Sequence, residues 1–103
     1  MADTIHLQLV SPERMLVDEQ VAEVQVPGKD GYLGVLPGHA PLMSELKPAG
    51  VLTYKSGSAE KVLAVYGGFV EVLPDRIRVL ADNAVEEDSV ASAQAKVDAK
   101  LIQ

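Results

Sequence analysis

The sequence predicts a mostly β fold that ends in one short helix, and three observations support this. Between Thr4 and Ala81, apolar and polar residues alternate with a period of two, which is typical of half-buried strands. Turn-forming residues interrupt the alternation about every ten residues, as in sandwiches and barrels. After Asp82, glycine and proline disappear and apolar residues recur at helical spacing. We therefore expect a sandwich followed by a helical segment.

The strand-like part divides into short runs. Ile5, Leu7 and Leu9 alternate with polar residues in the first run, and the turn that follows contains Pro12. Further runs are predicted at 15–17, 22–26, 32–36, 42–47, 51–55, 60–66, 69–73 and 76–81. Strands this short are stable only when two sheets bury their inner faces against each other, so the fold class is an antiparallel β-sandwich.

Residues 86–103 form the predicted helix, and residues 82–87 are the predicted linker. Val90, Ala93, Val97 and Leu101 lie on one helical stripe, and Asp88 or Ser89 can cap the first turn. An isolated helix of about 15 residues is marginal in water, so this one needs a surface to pack on.

Composition excludes several classes of function. The chain has no cysteine, which excludes a disulfide scaffold and a thiol nucleophile, and its two histidines are too few for an all-histidine metal site. A net charge of −6 argues against nucleic acid as a partner. No apolar run approaches the length of a membrane span, so no direct membrane insertion is expected. Residues 1–4 do not resemble the start of a secretory signal.

Sequence motifs for catalysis are missing. There is no G-x-S-x-G elbow, and the glycines around Lys29 lack the spacing of a phosphate-binding loop. His6 alternates outward on a strand and is expected at the surface. A binding or structural module is therefore favoured over an enzyme.

The most distinctive stretch is residues 31–42, which read Gly-Tyr-Leu-Gly-Val-Leu-Pro-Gly-His-Ala-Pro-Leu. Three glycines and two prolines there predict an irregular loop. This loop either crosses between the two sheets or presents His39 to a partner at low entropic cost. The residues alone leave both interpretations open.

Four segments resemble the epsilon subunit of bacterial F-type ATP synthases. The strongest match is the stretch 31–42. Segments 9–13 (Leu-Val-Ser-Pro-Glu), 67–72 (Gly-Gly-Phe-Val-Glu-Val) and 79–84 (Val-Leu-Ala-Asp-Asn-Ala) agree in the same order. The resemblance as a whole extends over essentially all of residues 3–84.

The resemblance implies a ten-stranded antiparallel β-sandwich over residues 1–85 and a C-terminal helical segment over residues 86–103. It implies a non-catalytic subunit of the central stalk without a cofactor, which couples proton-driven rotation to ATP synthesis. The implied partners are the gamma subunit, the c-ring and, through the C-terminal region, the alpha and beta subunits. The implied location is peripheral, on the cytoplasmic face of the bacterial inner membrane. The alternative from fold alone is a free-standing β-sandwich module that binds a peptide or small ligand.

The resemblance also assigns residues to three groups. The gamma-facing positions are His39, Met43 and Ser44. The loop that faces the c-ring contains Lys29, Gly31 and Tyr32. The structural loop contains Gly34, Pro37, Gly38 and Pro41. Relatives often carry Glu where this chain has Tyr32, which offers stacking and one hydroxyl in place of a carboxylate. Met43 could instead be a core residue, given the alternation of Leu42, Ser44 and Leu46 around it.

The C-terminal segment departs from the family pattern. Family members usually carry two helices that can inhibit ATP hydrolysis, whereas residues 86–103 allow roughly the first. Some relatives bind ATP through a motif Leu/Ile-Asp-x-x-Arg-Ala, and the equivalent positions here are Ala91 and Gln94. The carboxylate and the guanidinium are both lost, so we expect no useful ATP binding and a weakened or absent inhibitory role.

Overall fold

The computed structural model describes residues 3–102, including the side chains of residues 3–100. The described residues form eight strands and one helix. These are β1 (Ile5–Val10), β2 (Met15–Val21), β3 (Glu23–Gly28), β4 (Gly31–Val35), β5 (Leu42–Glu45), β6 (Gly50–Ser56), β7 (Ala59–Leu73), β8 (Arg76–Glu87) and α1 (Val90–Ile102).

The strands pair in the order β2-β1-β8-β7-β6-β3-β4. β5 is outside this order and pairs with β7. Two strands are long, since β7 has 15 residues and β8 has 12. Residues 59–65 of β7 pair with β6, whereas its residues 69–72 pair with β5. The long β7–β8 hairpin therefore belongs to both layers of a sandwich.

We call the two halves the first and second layers. The first layer contains β1, β2, β5 and the residues of β7 and β8 between Gly68 and Ala81. The second layer contains β3, β4, β6 and the remaining residues of β7 and β8. Buried side chains from both layers share one core, as a sandwich requires.

The mostly β fold with a C-terminal helix is confirmed, and the strand count is eight where ten were expected. The difference lies in β7 and β8, because each runs through both layers as one strand. The expected run 60–66 and the run 69–73 are the two parts of β7.

Two glycines make the passage between the layers possible. Gly67 and Gly68 have φ values of 71° and 118°. A Cβ on Gly68 would overlap the carbonyl oxygen of Leu80 across the hairpin, and a Cβ on Gly67 would lie 2.8 Å from a carboxylate oxygen of Asp82. Only glycine fits this backbone without strain.

One strand pair departs from the antiparallel expectation. β1 and β8 are parallel, with His6 opposite Arg76 and Val10 opposite Leu80. The other named pairs of the described strands are antiparallel. A parallel pair needs a long connection, which is available here because most of the chain lies between β1 and β8.

The expected linker at 82–87 is wrong. These residues continue β8, and Glu86 and Glu87 pair with Leu63 and Val62 of β7. Ladder hydrogen bonds with β7 hold them extended, so the helix begins later, at Val90.

The predicted cap at Ser89 is confirmed. The backbone N–H of Ser92 donates to Oγ of Ser89 at 3.1 Å, and the N–H of Ser89 donates to Oγ of Ser92 at 3.3 Å. This reciprocal pair satisfies N–H groups that the first turn would otherwise leave unbonded.

The helix packs on the outer face of the second layer. Ala93 and Val97 are buried against Ala49, Val51, Val62 and Ala64 of the β6–β7 region. Val90, expected on the same stripe, is about half exposed, and the side chain of Leu101 lies outside the described residues. The sandwich itself thus supplies the surface that the helix was expected to need.

Candidate functional site

The outer face of the first layer carries an unusual set of exposed apolar side chains. Met43 is 69% exposed, Phe69 52%, Leu80 50% and Met15 49%. We call these four residues, together with the half-buried Val10, the apolar face.

Strand register makes the apolar face continuous. Phe69 lies opposite Leu80 on the β7–β8 pair, Leu80 lies opposite Val10, and Val10 lies opposite Met15. A bulge in β1–β2 between Leu9 and Val10 keeps Met15 on this side of the sheet. Met43 belongs to the neighbouring row, opposite Glu71. Side chains from five adjacent strands thus form one surface.

Two shallow hollows flank the Phe69–Leu80 pair. One is lined by Met43, Glu71 and Arg78 and has a volume of about 180 Å³. The other lies beside Val10 and Pro12, with a volume of about 310 Å³. Apolar side chains beside hollows and bordered by charged groups are typical of protein–protein contact sites.

The expected gamma-facing residues do not share one surface. Met43 is on the apolar face, and its exposure excludes the alternative that it is a core residue. Ser44 pairs with the buried Val70, so it projects from the opposite side of β5, and its hydroxyl donates to the carbonyl of Glu45 at 3.0 Å. His39 lies in the irregular segment between β4 and β5.

Of the stretch 31–42, expected to be an irregular loop, residues 31–35 form β4 and Leu42 begins β5, so only residues 36–41 form a loop. Hydrogen bonds fix the course of this loop. The N–H of Gly38, a residue with φ of 85°, donates to the carbonyl of Pro74 at 2.8 Å, which holds the loop against the β7–β8 turn. The ring Nδ1–H of His39 donates to the carbonyl of Ala40 at 2.6 Å. Because a carbonyl oxygen can only accept, this bond requires Nδ1 to carry a hydrogen.

The other residues of the structural group lie around this loop. Pro37 is half-buried and Pro41 is exposed. Gly34 lies within β4 opposite Gln25, where a Cβ would come 3.4 Å from the amide nitrogen of that side chain. Gly34 is thus a strand residue, whereas Pro37, Gly38 and Pro41 shape the loop.

The residues expected to face the c-ring lie at one hairpin tip. Lys29 and Asp30 form the turn between β3 and β4, and Gly31, with φ of 142°, follows them. Lys29 forms an exposed ion pair with Glu45, with 3.4 Å between Nζ and Oε2.

Tyr32 is held in place although half its surface is exposed. Its hydroxyl accepts a hydrogen bond from the N–H of Val51 at 3.3 Å, and the ammonium of Lys47 lies 5.3 Å from the ring centre. The aromatic ring therefore forms a fixed, partly cationic surface beside the tip.

Sequence reasoning missed Phe69, Leu80, Val10 and Met15 as site residues. A signal for three of them was present, because Phe69, Leu80 and Val10 each adjoin a buried apolar residue in the same strand. Adjacent apolar residues in a strand indicate that both faces of the sheet are apolar. Met43, beside the half-buried Leu42, has the same signature.

Comparison with known proteins agrees with this architecture. Residues 4–87 match the family described as ATP synthase, Delta/Epsilon chain, beta-sandwich domain. The ATP synthase epsilon chain of Solibacter usitatus is 53% identical over 96 residues, covering 93% of this chain and 71% of that protein. The epsilon chain of Rhodospirillum rubrum is 47% identical over 91 residues, covering 88% and 68% respectively.

Among solved structures, a chain of the mitochondrial ATP synthase of Euglena gracilis, in an assembly of OSCP, F1 and c-ring, superposes with a TM-score of 0.78. It is 26% identical, and the match covers 97% of this chain and 64% of that one. This chain thus spans less than two thirds of the Euglena chain. On the family match and the identities together, the chain belongs to the family of ATP synthase epsilon chains.

Proposed function

We propose that this protein is a non-catalytic rotor subunit of an F-type ATP synthase. In that role it links the gamma subunit to the c-ring, so that proton-driven rotation is coupled to ATP synthesis. Family membership supports the proposal, as does the likeness to a chain from a solved F1/c-ring assembly. The specific match of family and segment order favours this role over a free-standing binding module.

The observation that carries the proposal is the apolar face. Phe69, Leu80, Met15 and Met43 are about half exposed or more on a sheet whose opposite side is well packed. Exposed apolar surface of this kind is stabilised when a partner removes it from water. We assign the gamma contact to this face, with Met43 within it.

His39 and Ser44, the other two expected gamma contacts, lie outside the apolar face. Ser44 projects from the other side of β5, and His39 is in the loop that contacts Pro74. Both residues stay in the proposal as contacts at the margin, where polar groups contribute orientation more than affinity.

The hairpin tip is the proposed contact with the c-ring. Lys29, Gly31 and Tyr32 lie together there, and Tyr32 is fixed by Val51 and Lys47. The exposed ammonium of Lys29 and the anchored ring of Tyr32 would contact the polar loops of the ring.

The proposed location is peripheral, on the cytoplasmic face of the bacterial inner membrane, through these partners. In the described residues, no helix is long and apolar enough to cross a membrane. The division into a sandwich domain at 1–85 and a helical segment at 86–103 stays a prediction.

The helix is proposed to have a weak inhibitory role or none. Here α1 is packed on the second layer through Ala93 and Val97. Any contact with the alpha and beta subunits would require it to leave that surface. Hydrolysis of ATP by the cognate complex, measured with and without this subunit, tests the point. Suppression as strong as that by a two-helix relative would contradict it.

Calorimetry with the purified cognate gamma subunit tests the main proposal. We expect one-to-one binding that Phe69→Ser combined with Leu80→Ser weakens by about a hundredfold, since both remove central apolar contacts. His39→Ala with Ser44→Ala should weaken it by less than about tenfold.

Val90→Ser is the matched control, because Val90 is equally exposed but lies on the helix. Its binding should equal that of the parent protein. If gamma does not bind while both proteins are folded, the proposal fails. If Phe69→Ser with Leu80→Ser binds normally, the interface lies elsewhere.

A further inference from the structure

The outer face of the first layer pairs unlike side chains along the β7–β8 hairpin. Phe69 lies opposite Leu80, and two residues further along β7, Glu71 lies opposite Arg78. All four side chains are on the same side of the sheet, because positions two apart in a strand share a face. β7 thus contributes an aromatic ring and a carboxylate, and β8 contributes an aliphatic side chain and a guanidinium.

Glu71 and Arg78 do not neutralise each other, although they are cross-strand neighbours. Both are partly buried, and within residues 3–100 neither forms an ion pair. Opposite charges at directly opposed positions of a sheet ordinarily attract each other. Here both line the hollow beside Met43. Each charge is therefore available to an opposite charge from outside the chain.

A two-fold axis makes this face complementary to itself. We take the axis to lie in the interface, parallel to the strands and midway between β7 and β8, so that it exchanges the two strands. Phe69 then meets Leu80 of the second copy, and Glu71 meets Arg78 of the second copy. Each of these contacts occurs twice, as in the isologous interfaces of closed dimers.

The neighbouring strands agree with the same axis. The row that contains Glu71 and Arg78 continues to Met43 on β5 and to Gln8 on β1. The axis places Met43 over Gln8 of the second copy, so no like charges are opposed along this row. Sheets that pack face to face keep their strand directions within about 30° of each other, which a near-parallel arrangement satisfies.

The second layer does not offer an equivalent surface. Its outer face is covered by α1, which buries Val51, Val62 and Ala64. Self-association through an apolar sheet face is therefore expected on the first layer, where Phe69 and Leu80 are about half exposed.

We propose that the free chain forms a two-fold dimer through the outer face of the first layer, with β7 of each copy over β8 of the other. The contacts between Phe69 and Leu80 supply most of the affinity. The two pairs of Glu71 with Arg78 fix the register and exclude other arrangements.

The dimer goes beyond the rotor role and does not depend on it. One consequence rests on the proposed function: because the gamma contact is assigned to the same face, gamma and the second copy would exclude each other. Addition of cognate gamma should then convert the dimer into a one-to-one complex.

Sedimentation equilibrium of the purified chain over a concentration series is the first test. We expect a mass that rises toward twice that of the chain. Phe69→Ser combined with Leu80→Ser should weaken self-association by at least about tenfold, since both remove central apolar contacts. Val90→Ser, which replaces an equally exposed apolar residue on the helix, should change it by less than about twofold.

Charge reversal tests the register. Glu71→Arg and Arg78→Glu should each weaken self-association by about tenfold, because each variant opposes like charges twice in its own dimer. An equimolar mixture of the two variants should restore association, since both arginines of one chain then meet both carboxylates of the other. An effect within one chain cannot produce this recovery. Circular dichroism of each variant confirms that it is folded.

Glu60→Arg is the matched control, because it makes the same charge change at an exposed position of β7 outside the face. An Arg78→Glu chain labelled at its N-terminus should associate about threefold more weakly with Glu60→Arg than with Glu71→Arg, since one pair of like charges remains. Equal association with both would mean non-specific attraction between unlike net charges and would overturn the proposal.

Two further results would also overturn it. These are a mixture of Glu71→Arg and Arg78→Glu that does not recover association, and a parent chain that stays monomeric up to about 1 mM. Gamma binding by a chain that does not dimerise would leave the proposed function in place. A dimer that forms as described but does not bind gamma would support this inference and contradict the gamma assignment.

Discussion

Both outer faces of the sandwich carry apolar side chains, but α1 covers only the face of the second layer. On the second layer, Val51, Val62 and Ala64 are buried because α1 packs over them. On the first layer, Phe69 and Leu80 are about half exposed in the described chain. The chain thus covers one apolar outer face with its own helix and leaves the other available for a partner.

The largest effect on stability is expected at Gly68, where β7 passes from one layer to the other. Gly68→Ala should cost about 4 kcal/mol or more of unfolding free energy, because the new Cβ overlaps the carbonyl oxygen of Leu80. Urea unfolding measures the loss. Gly57→Ala is the control, since Gly57 also has positive φ but no atoms lie near its Cβ position. It should cost only about 1 kcal/mol.

A second substitution should displace α1 from the outer face of the second layer. Val97→Asp places a carboxylate against Val51 and Val62, so the helix should leave the surface and the stability should fall by about 2 kcal/mol. Protease cleavage within α1 should become faster. Ala95→Asp, on the exposed side of the same helix, should leave the cleavage rate unchanged. Equal cleavage of both variants would show that the helix is not held by this contact.

The ion pair between Lys96 of α1 and Glu87 of β8 should make a smaller contribution to holding the helix in place. A hydrogen bond from Lys96 lowers the pKa of Glu87, while burial partly opposes the shift. A lowered carboxylate pKa stabilises the fold above the unfolded pKa, and this contribution is lost as pH falls through the folded value. The same bond raises the pKa of Lys96, whose contribution is lost as pH rises through its folded value.

Protease cleavage within α1 should therefore accelerate as the pH falls below about 4. An acid-stable protease can be used for the assay. Glu87→Gln should remove most of this pH dependence while leaving the helix formed. A variant with an unchanged acid profile would show that Glu87 does not hold the helix.

The smallest effect on stability is expected from substitutions on the apolar face of the first layer. Phe69→Ser should change the unfolding free energy by no more than about 0.5 kcal/mol, because half of its surface already contacts water. Binding of a hydrophobic dye to the isolated chain should decrease. Val62→Ser, on the covered face, should instead cost about 2 kcal/mol. Similar losses for the two would remove the distinction between the faces.

Much of the fold could be predicted from alternation and turns. The strand runs, the loop before β5 and the cap at Ser89 follow from local sequence patterns. The parallel β1–β8 pair could not be predicted, because it depends on which distant strands meet. The continuation of β8 through Glu87 was missed since pairing with β7 outweighs the helical preference of glutamate.

The candidate site was predictable only in part. Met43 could be placed through the family resemblance, whereas Phe69 and Leu80 required knowing the strand register. Adjacent apolar residues mark both Val51-Leu52 and Phe69-Val70 as apolar on two sides. Local pattern does not reveal which of these faces the helix covers, because that is decided by tertiary packing.

The parallel pairing of β1 with β8 also has a consequence for the order of folding. The second layer contains the β6–β7 hairpin and is closed by residues 83–87 of β8, so many of its contacts are local. The central pair of the first layer joins residues 6–10 to residues 76–80, and such distant contacts form slowly. On the ribosome, β1 must therefore wait until β8 has been synthesised, whereas β3, β4, β6 and the first part of β7 are available to pair before that point.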